Sequence, residues 1–147
     1  MKLRIRLAER ADLPAVLGLY AQRELDDGAV LALDQAEVIF KRMQGYPDYR
    51  LYVAEADGQV VGTFALLVMD NLGHLGAPSG LVEDVAVDPA WQKRGVGKTM
   101  MRCAVERCRE KGCYKLSLSS NLKRRHAHTF YQSLGFQQHG YSFRMDL

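Results

Sequence analysis

Residues 92–98 read QKRGVGK, a polar turn whose Gly95 and Gly97 run straight into a patterned helical stretch. Successive main-chain N–H groups at a helix start form an anion site, and glycines there clear the way for a close diphosphate. Two nucleotide-binding patterns fail by count. GxxxxGK[ST] ending at Gly97, Lys98 and Thr99 needs its first glycine at Gln92, and GxGxxG from Gly95 needs a third at Met100. Just upstream, "LVEDVAV" (81–87) holds two acids, Glu83 and Asp84, inside an apolar run. A carboxylate there can accept a proton from a substrate. On a regular strand Glu83 shares a face with Val85 and Val87 while Asp84 points the other way, and a bulge would shift that parity towards Asp84. An acid in this position can equally satisfy buried amides or pair with an arginine.

Other chemistry is argued against. Cys103, Cys108 and Cys113 stand five apart, so on a helix at ~100° per residue the thiols diverge and share no metal-binding face. His126 and His128 lie two apart with no carboxylate cluster beside them, and no metal site is expected. Net charge of +3 tolerates an anionic ligand without requiring nucleic acid. The basic run "LKRRH" (122–126) has no interleaved stacking aromatics, so no nucleic-acid partner is expected. Neither a signal peptide nor a membrane-spanning run is found, so a cytoplasmic protein with no membrane partner is expected.

The elements that must position these residues follow from local pattern. The chain of 147 residues, 48% hydrophobic, is expected to form one domain over residues 1–147. "LRIRLA" (3–8) alternates as a strand, and Asp12 with Pro14 opens a helix expected through about Glu24. Asp34 and Glu37 resemble a capping pair for a second helix ending by Gly45. Two β-rich runs flank Asp57-Gly58, a hairpin signal. Val96, Met100, Ala104, Val105 and Cys108 mark one face of a helix that Gly112 ends. "YKLSLS" is expected as a strand, "RRHAHTFYQSL" as a helix closed by Gly135, and "GYSFRMDL" (140–147) as a last strand. Such an edge strand could pair with a second subunit to give a homodimer. The fold class is a mixed α/β sheet covered by helices.

Taken together, "VEDVAVDP", QxxGxG entering a helix, and "AHTFYQSLGF" with its AxxFYxxxGF pattern resemble the GNAT superfamily of acyl-CoA-dependent N-acyltransferases, over residues 81–136. The first 70 residues match only in order of elements. The resemblance implies a mostly antiparallel twisted sheet of six to seven strands with about four helices. It implies acetyl transfer from acetyl-CoA, as cosubstrate, to a primary amine of a small molecule by direct attack in a ternary complex. A noncatalytic acyl-CoA sensor is the other class. By resemblance, Val85, Ala86 and Val87 hold pantetheine, Gln92, Lys93, Arg94, Gly95, Val96, Gly97 and Lys98 cradle the diphosphate, and Phe130 also contacts the cosubstrate. Tyr131 occupies the tyrosine that protonates the departing thiolate, and Glu83 is the base or amine-binding acid, with Asp84 or a water as alternatives. "GLVEDVAV", "QKRGVGK", "GCYKLSLSS" and "FYQSLGF" look most like glucosamine-6-phosphate N-acetyltransferases and small bacterial relatives. The strand ending at Ser119 lacks those enzymes' aspartate, and Ala127 stands where they usually carry asparagine.

Overall fold

A computed structural model describes residues 2–22 and 25–147. The alternation at the start becomes β1 (Leu3–Leu7), and a 3-10 turn leads into α1 (Leu13–Tyr20). Arg6 fixes this entry by donating to both Asp12 oxygens (2.7 and 2.9 Å) and to Glu55 (3.1 Å). Asp12 also accepts the Glu9 N–H at 2.7 Å. The guanidinium holds the Asp12 carboxyl below the usual carboxylate range. The expected extension of α1 to Arg23 and Glu24 lies outside the described residues.

α2 (Leu33–Gln44) forms as expected, but without the Asp34–Glu37 capping pair. Asp34 accepts from the Gln35 N–H at 2.9 Å, and Glu37 pairs with Arg10 at 2.5 Å. β2 (Tyr49–Ala56) and β3 (Gln59–Met69) are joined through Asp57 and Gly58, whose φ values of 50° and 80° are those of a tight hairpin turn. Next come β4 (Ser79–Val87), α3 (Val96–Glu110), β5 (Lys115–Ser117) and α4 (Arg125–Ser133).

Among the described residues five strands form one sheet in chain order, antiparallel except for the β4–β5 pair. The expectation of six to seven strands is corrected: residues 140–147 carry a strand's alternation but adopt no strand. A period of two decides which side chains share a face, whereas a ladder also needs a partner edge.

Two apolar layers sandwich this sheet. On one face α1 and α2 bury Leu13, Val16, Ala36 and Phe40 against Leu51, Val53 and Ala65. On the other, α3 buries Val96, Met100, Met101, Ala104 and Cys108. Met101 thus takes the place expected for Val105, which is only half-buried. Each large aliphatic or aromatic side chain so enclosed contributes about 1.5–3 kcal/mol. α3 approaches closely enough that a Cβ on Gly62 would lie 3.0 Å from Met100 Sδ, and one on Gly80 2.3 Å from Cys108 Sγ.

Residues 1–117 form one compact unit and 118–147 a second. Within the second, Tyr131 is buried and meets Phe136 edge-on at 5.8 Å, and Gly135 (φ 97°) closes α4. The His128 ring lies 2.7 Å from the Asn121 carbonyl.

Candidate active site

The β3–β4 ladder is where the sequence's two acids acquire their geometry. Ala65 lies opposite Glu83 and Thr63 opposite Ala86, so the single residue Phe64 faces both Asp84 and Val85. That is a β-bulge, and Asp84 carries its strain with φ 53°, in the left-handed region that aspartate tolerates better than most residues. Directly opposed residues share a face. Gly62, which α3 touches, lies opposite Val87, whereas Ala65, part of the α1/α2 core, lies opposite Glu83. The extra residue therefore turns Val87 to the α3 face and leaves Glu83 on the α1 face, where regular parity would have put the two together.

The Asp84 charge bears on two phenols. Burial and then the Asp84 charge push the Tyr20 phenol up, while a hydrogen bond with Thr63 opposes the shift. Burial, Asp84 and Glu83, in that order, push up the Tyr49 phenol. The carboxylates are themselves raised: Glu83 by burial and then by Asp84, and Asp84 by burial and then by Asp26. Both remain exposed to a substrate. At the bulge two carboxylates and two phenols thus bear on one another electrostatically, and regular strand geometry offers no signal for it. Tyr20, Tyr49 and Asp26 are the residues that sequence reasoning missed. They come from α1, β2 and the loop after α1, segments in which no motif stands out.

β5 ends at Ser117, opposite Leu81, so β4 from Val82 onward has no strand on that side among the described residues. The Asp88 N–H donates to Val61 O at 2.8 Å. By the alternation of a strand, the main-chain groups of Val87 then point away from β3, towards the open edge. The Val87 carbonyl accepts there from Gln22 Nε2 (3.0 Å) and Gln92 Nε2 (3.3 Å). The Gln92 side chain is therefore folded back onto the strand.

The turn between β4 and α3 begins with Asp88, which caps a 3-10 turn by accepting the Ala90 N–H at 2.9 Å. Arg94 lies over the Trp91 ring at 4.1 Å, and Lys93 (φ 61°) and Gly95 (φ 88°) both adopt positive φ. Gly95 is the N-cap of α3, and Thr99 returns to its carbonyl through both N–H (3.1 Å) and Oγ1 (2.9 Å). The N–H groups of Val96, Gly97 and Lys98 fall in the first turn, where a helix offers them no acceptor. With Lys93, Arg94 and Lys98 exposed around them, these donors make an anion-receptive helix start.

Tyr131 and Phe130 belong to the second unit, their rings tilted at 5.2 Å. Burial pushes the Tyr131 phenol up, against an opposing pull from Arg124. Two shallow cavities, of 190 and 250 Å³, are lined around Asp48, Arg50 and Lys111 and around Phe40, Met43 and Leu51, with no residue of β4.

Residues 16–136 match the Acetyltransferase (GNAT) family. The chain belongs to the GNAT acetyltransferases. This acetyltransferase is 31% identical over 146 residues, 99% of its chain and 96% of the relative, to a glucosamine 6-phosphate N-acetyltransferase of Trypanosoma brucei brucei. It is 31% identical over 97 residues, 66% of its chain and 62% of the relative, to an aminoalkylphosphonate N-acetyltransferase of Salmonella typhimurium. A solved structure from Agrobacterium tumefaciens strain C58 superposes with a TM-score of 0.92 at 31% identity, covering 98% of this chain and 99% of that one. The family match spans the bulged strand, the helix-start loop and α4.

Proposed function

We propose that this acetyltransferase moves an acetyl group from acetyl-CoA to a primary amine of a small molecule by direct attack in a ternary complex, within one catalytic domain over residues 1–147. The observation that carries the reading is the continuity of an open-edged, bulged strand bearing two exposed carboxylates with an anion-receptive helix start a few residues later. The loop from Gln92 to Lys98 takes the diphosphate on its amides. Val85, Ala86 and Val87 hold pantetheine along the open edge, and Phe130 is assigned to the cosubstrate by its sequence pattern.

A lysine-like amine with pKa near 10 is about a thousandth neutral at pH 7, a cost of roughly 4 kcal/mol that a positioned base offsets by taking the proton. Glu83 has that role, directly or through water, and Asp84 stands beside it. The amine nitrogen forms the new N–C bond while the Val85 amide stabilises the oxyanion, and collapse breaks the C–S bond. The thiolate takes its proton from Tyr131, a phenol that burial keeps protonated, and the second proton shed by the acylated nitrogen restores the phenol through solvent. The same proposal places the protein in the cytoplasm as a homodimer.

Glucosamine 6-phosphate is a specific second reading, favoured by the alignment with the trypanosomal enzyme along 99% of the chain. A thiol-release screen of amines with acetyl-CoA, including glucosamine 6-phosphate, aminoalkylphosphonates and polyamines, tests both readings. Release with one amine class supports catalysis and names the acceptor, whereas tight acetyl-CoA binding with no release from any amine makes the protein a sensor.

A further inference from the structure

Cys103, Cys108 and Cys113 are spaced five apart, yet the two steps end differently. Both ends of the first lie inside α3, where five residues at ~100° each turn the thiols roughly 140° apart. The second step crosses the end of the helix. There Gly112 takes φ 75°, its N–H donates to Arg109 O at 3.1 Å, and the Cys113 N–H donates back to Cys108 O at 2.9 Å. That pair of bonds is a Schellman motif, in which the side chains at the two ends of the reversed turn meet. Cys108 and Cys113 are those two ends, and their thiols lie within hydrogen-bond reach of each other.

The geometry suits a bond between the sulfurs. Standard main-chain lengths on either side of a 2.9 Å N···O contact hold the two Cα atoms within about 7 Å, inside the span of a disulfide. Exposure divides the roles. Cys113 is half-buried and open to a small oxidant, whereas Cys108 is 4% exposed and packed on Gly80 of β4. We propose that Cys113 and Cys108 form a reversible redox site, which a hydroperoxide oxidises to an intrachain disulfide and a dithiol reduces.

The Cys113 thiolate attacks one peroxide oxygen and the O–O bond breaks, leaving Cys113 as a sulfenic acid. The departing oxygen takes the proton that the thiol gave up and leaves as an alcohol, or as water from hydrogen peroxide. The Cys108 sulfur then attacks the Cys113 sulfur, the S–O bond breaks, and the hydroxide carries off the Cys108 proton as water. Two thiols and one hydroperoxide give one disulfide, one alcohol and one water. Burial and then the Cys113 charge push the Cys108 thiol up to about 12, so its proton must leave in that second step. The link ties the end of α3 to the start of β5. The next residue, Tyr114, donates its N–H to Pro78 O at 3.0 Å, and Lys115 pairs with Ser79. Disulfide formation also takes Cys113 off the path to irreversible sulfinic acid. Nothing in it draws on acetyl transfer, and its failure would leave that reading intact.

Hydrogen peroxide treatment of the reduced full chain, followed by alkylation in urea, trypsin and mass spectrometry, tests the site. Trypsin cuts after Arg107, Arg109, Lys111 and Lys115, so Cys108 and Cys113 fall in separate peptides that only a disulfide holds together, and Cys103 falls in a third. The folded protein should show the 108–113 link with Cys103 alkylated, and dithiothreitol should abolish it. Cys103→Ser should form the link at the unchanged rate. Cys113→Ser should slow peroxide consumption by roughly tenfold or more, because the buried Cys108 is out of reach. In Cys108→Ala, Cys113 should accumulate as sulfenic acid that dimedone captures. Absence of the link, a link that includes Cys103 or joins two chains, one that forms only when peroxide is added in urea, or Cys113 passing to sulfinic acid while Cys108 remains alkylatable would overturn the proposal.

Discussion

At Asp84 the backbone accepts a left-handed φ of 53° and the side chain accepts a raised pKa, two costs at one residue. The sign of the second is testable. A carboxyl whose folded pKa is raised favours the native state below its ordinary value near ~4, and that contribution is lost as pH rises through the raised value. At neutral pH the charged form is a burden, so Asp84→Asn, which also tolerates the left-handed backbone, should raise the melting temperature at pH 7. The gain should vanish near pH ~3, where both residues are neutral; thermal melts at the two pH values decide it. Glu83 lies across from Ala65 with its pKa also raised. Glu83→Gln should lower turnover by about 10²–10⁴-fold with little change in acetyl-CoA affinity, and unchanged turnover at saturating substrates would remove Glu83 from the mechanism. Tyr131→Phe should slow the chemical step and leave cosubstrate binding in place. Loss of folding instead would make the ring, which packs on Phe136, a core residue.

At the scale of elements, β4 depends on how closely α3 can lie against it. Gly80 permits an approach that a Cβ, 2.3 Å from Cys108 Sγ, would forbid. Gly80→Ala should therefore destabilise the fold by about 1–3 kcal/mol, read as a lower urea midpoint. Adding Cys108→Ala should recover part of the loss, since it removes the clashing sulfur; strictly additive effects would show that the two residues do not press on each other. The same thiol is pushed up to about 12 by burial and then by Cys113, so it stays protonated and serves packing. The elements themselves were largely legible. The Asp57-Gly58 hairpin, the helix from Val96 and the glycine stops at Gly112 and Gly135 are encoded within a few residues of where they act, through turn chemistry and period. The Asp34–Glu37 capping pair does not form because the helix starts earlier, with Ala32 at its N-cap and Asp34 inside its first turn, while Glu37 pairs with Arg10.

For the whole molecule, cosubstrate binding should appear as stability. A ligand at a hundred times its dissociation constant adds about 2.7 kcal/mol to a fold that binds it only when native. For a domain of this size that corresponds to a rise of roughly 5–10 °C in melting temperature. Coenzyme A should produce it, and ATP at the same concentration should not, because the loop lacks the phosphate-binding pattern at Gln92. Equal shifts with both would reduce the loop to a general anion site. The sequence by itself determined the order of elements, the anion-receptive helix start and the family, since each is written in contiguous residues. Only the tertiary structure decided the bulge that turns Glu83 and Val87 to opposite faces and the exposure of the Tyr20 and Tyr49 phenols to the Asp84 charge. It alone also decided the reach of Gln22 to a carbonyl 65 residues away and the unpaired state of residues 141–147. Those outcomes depend on which distant segments become neighbours, and a local pattern specifies the face a side chain takes without specifying what will stand opposite it.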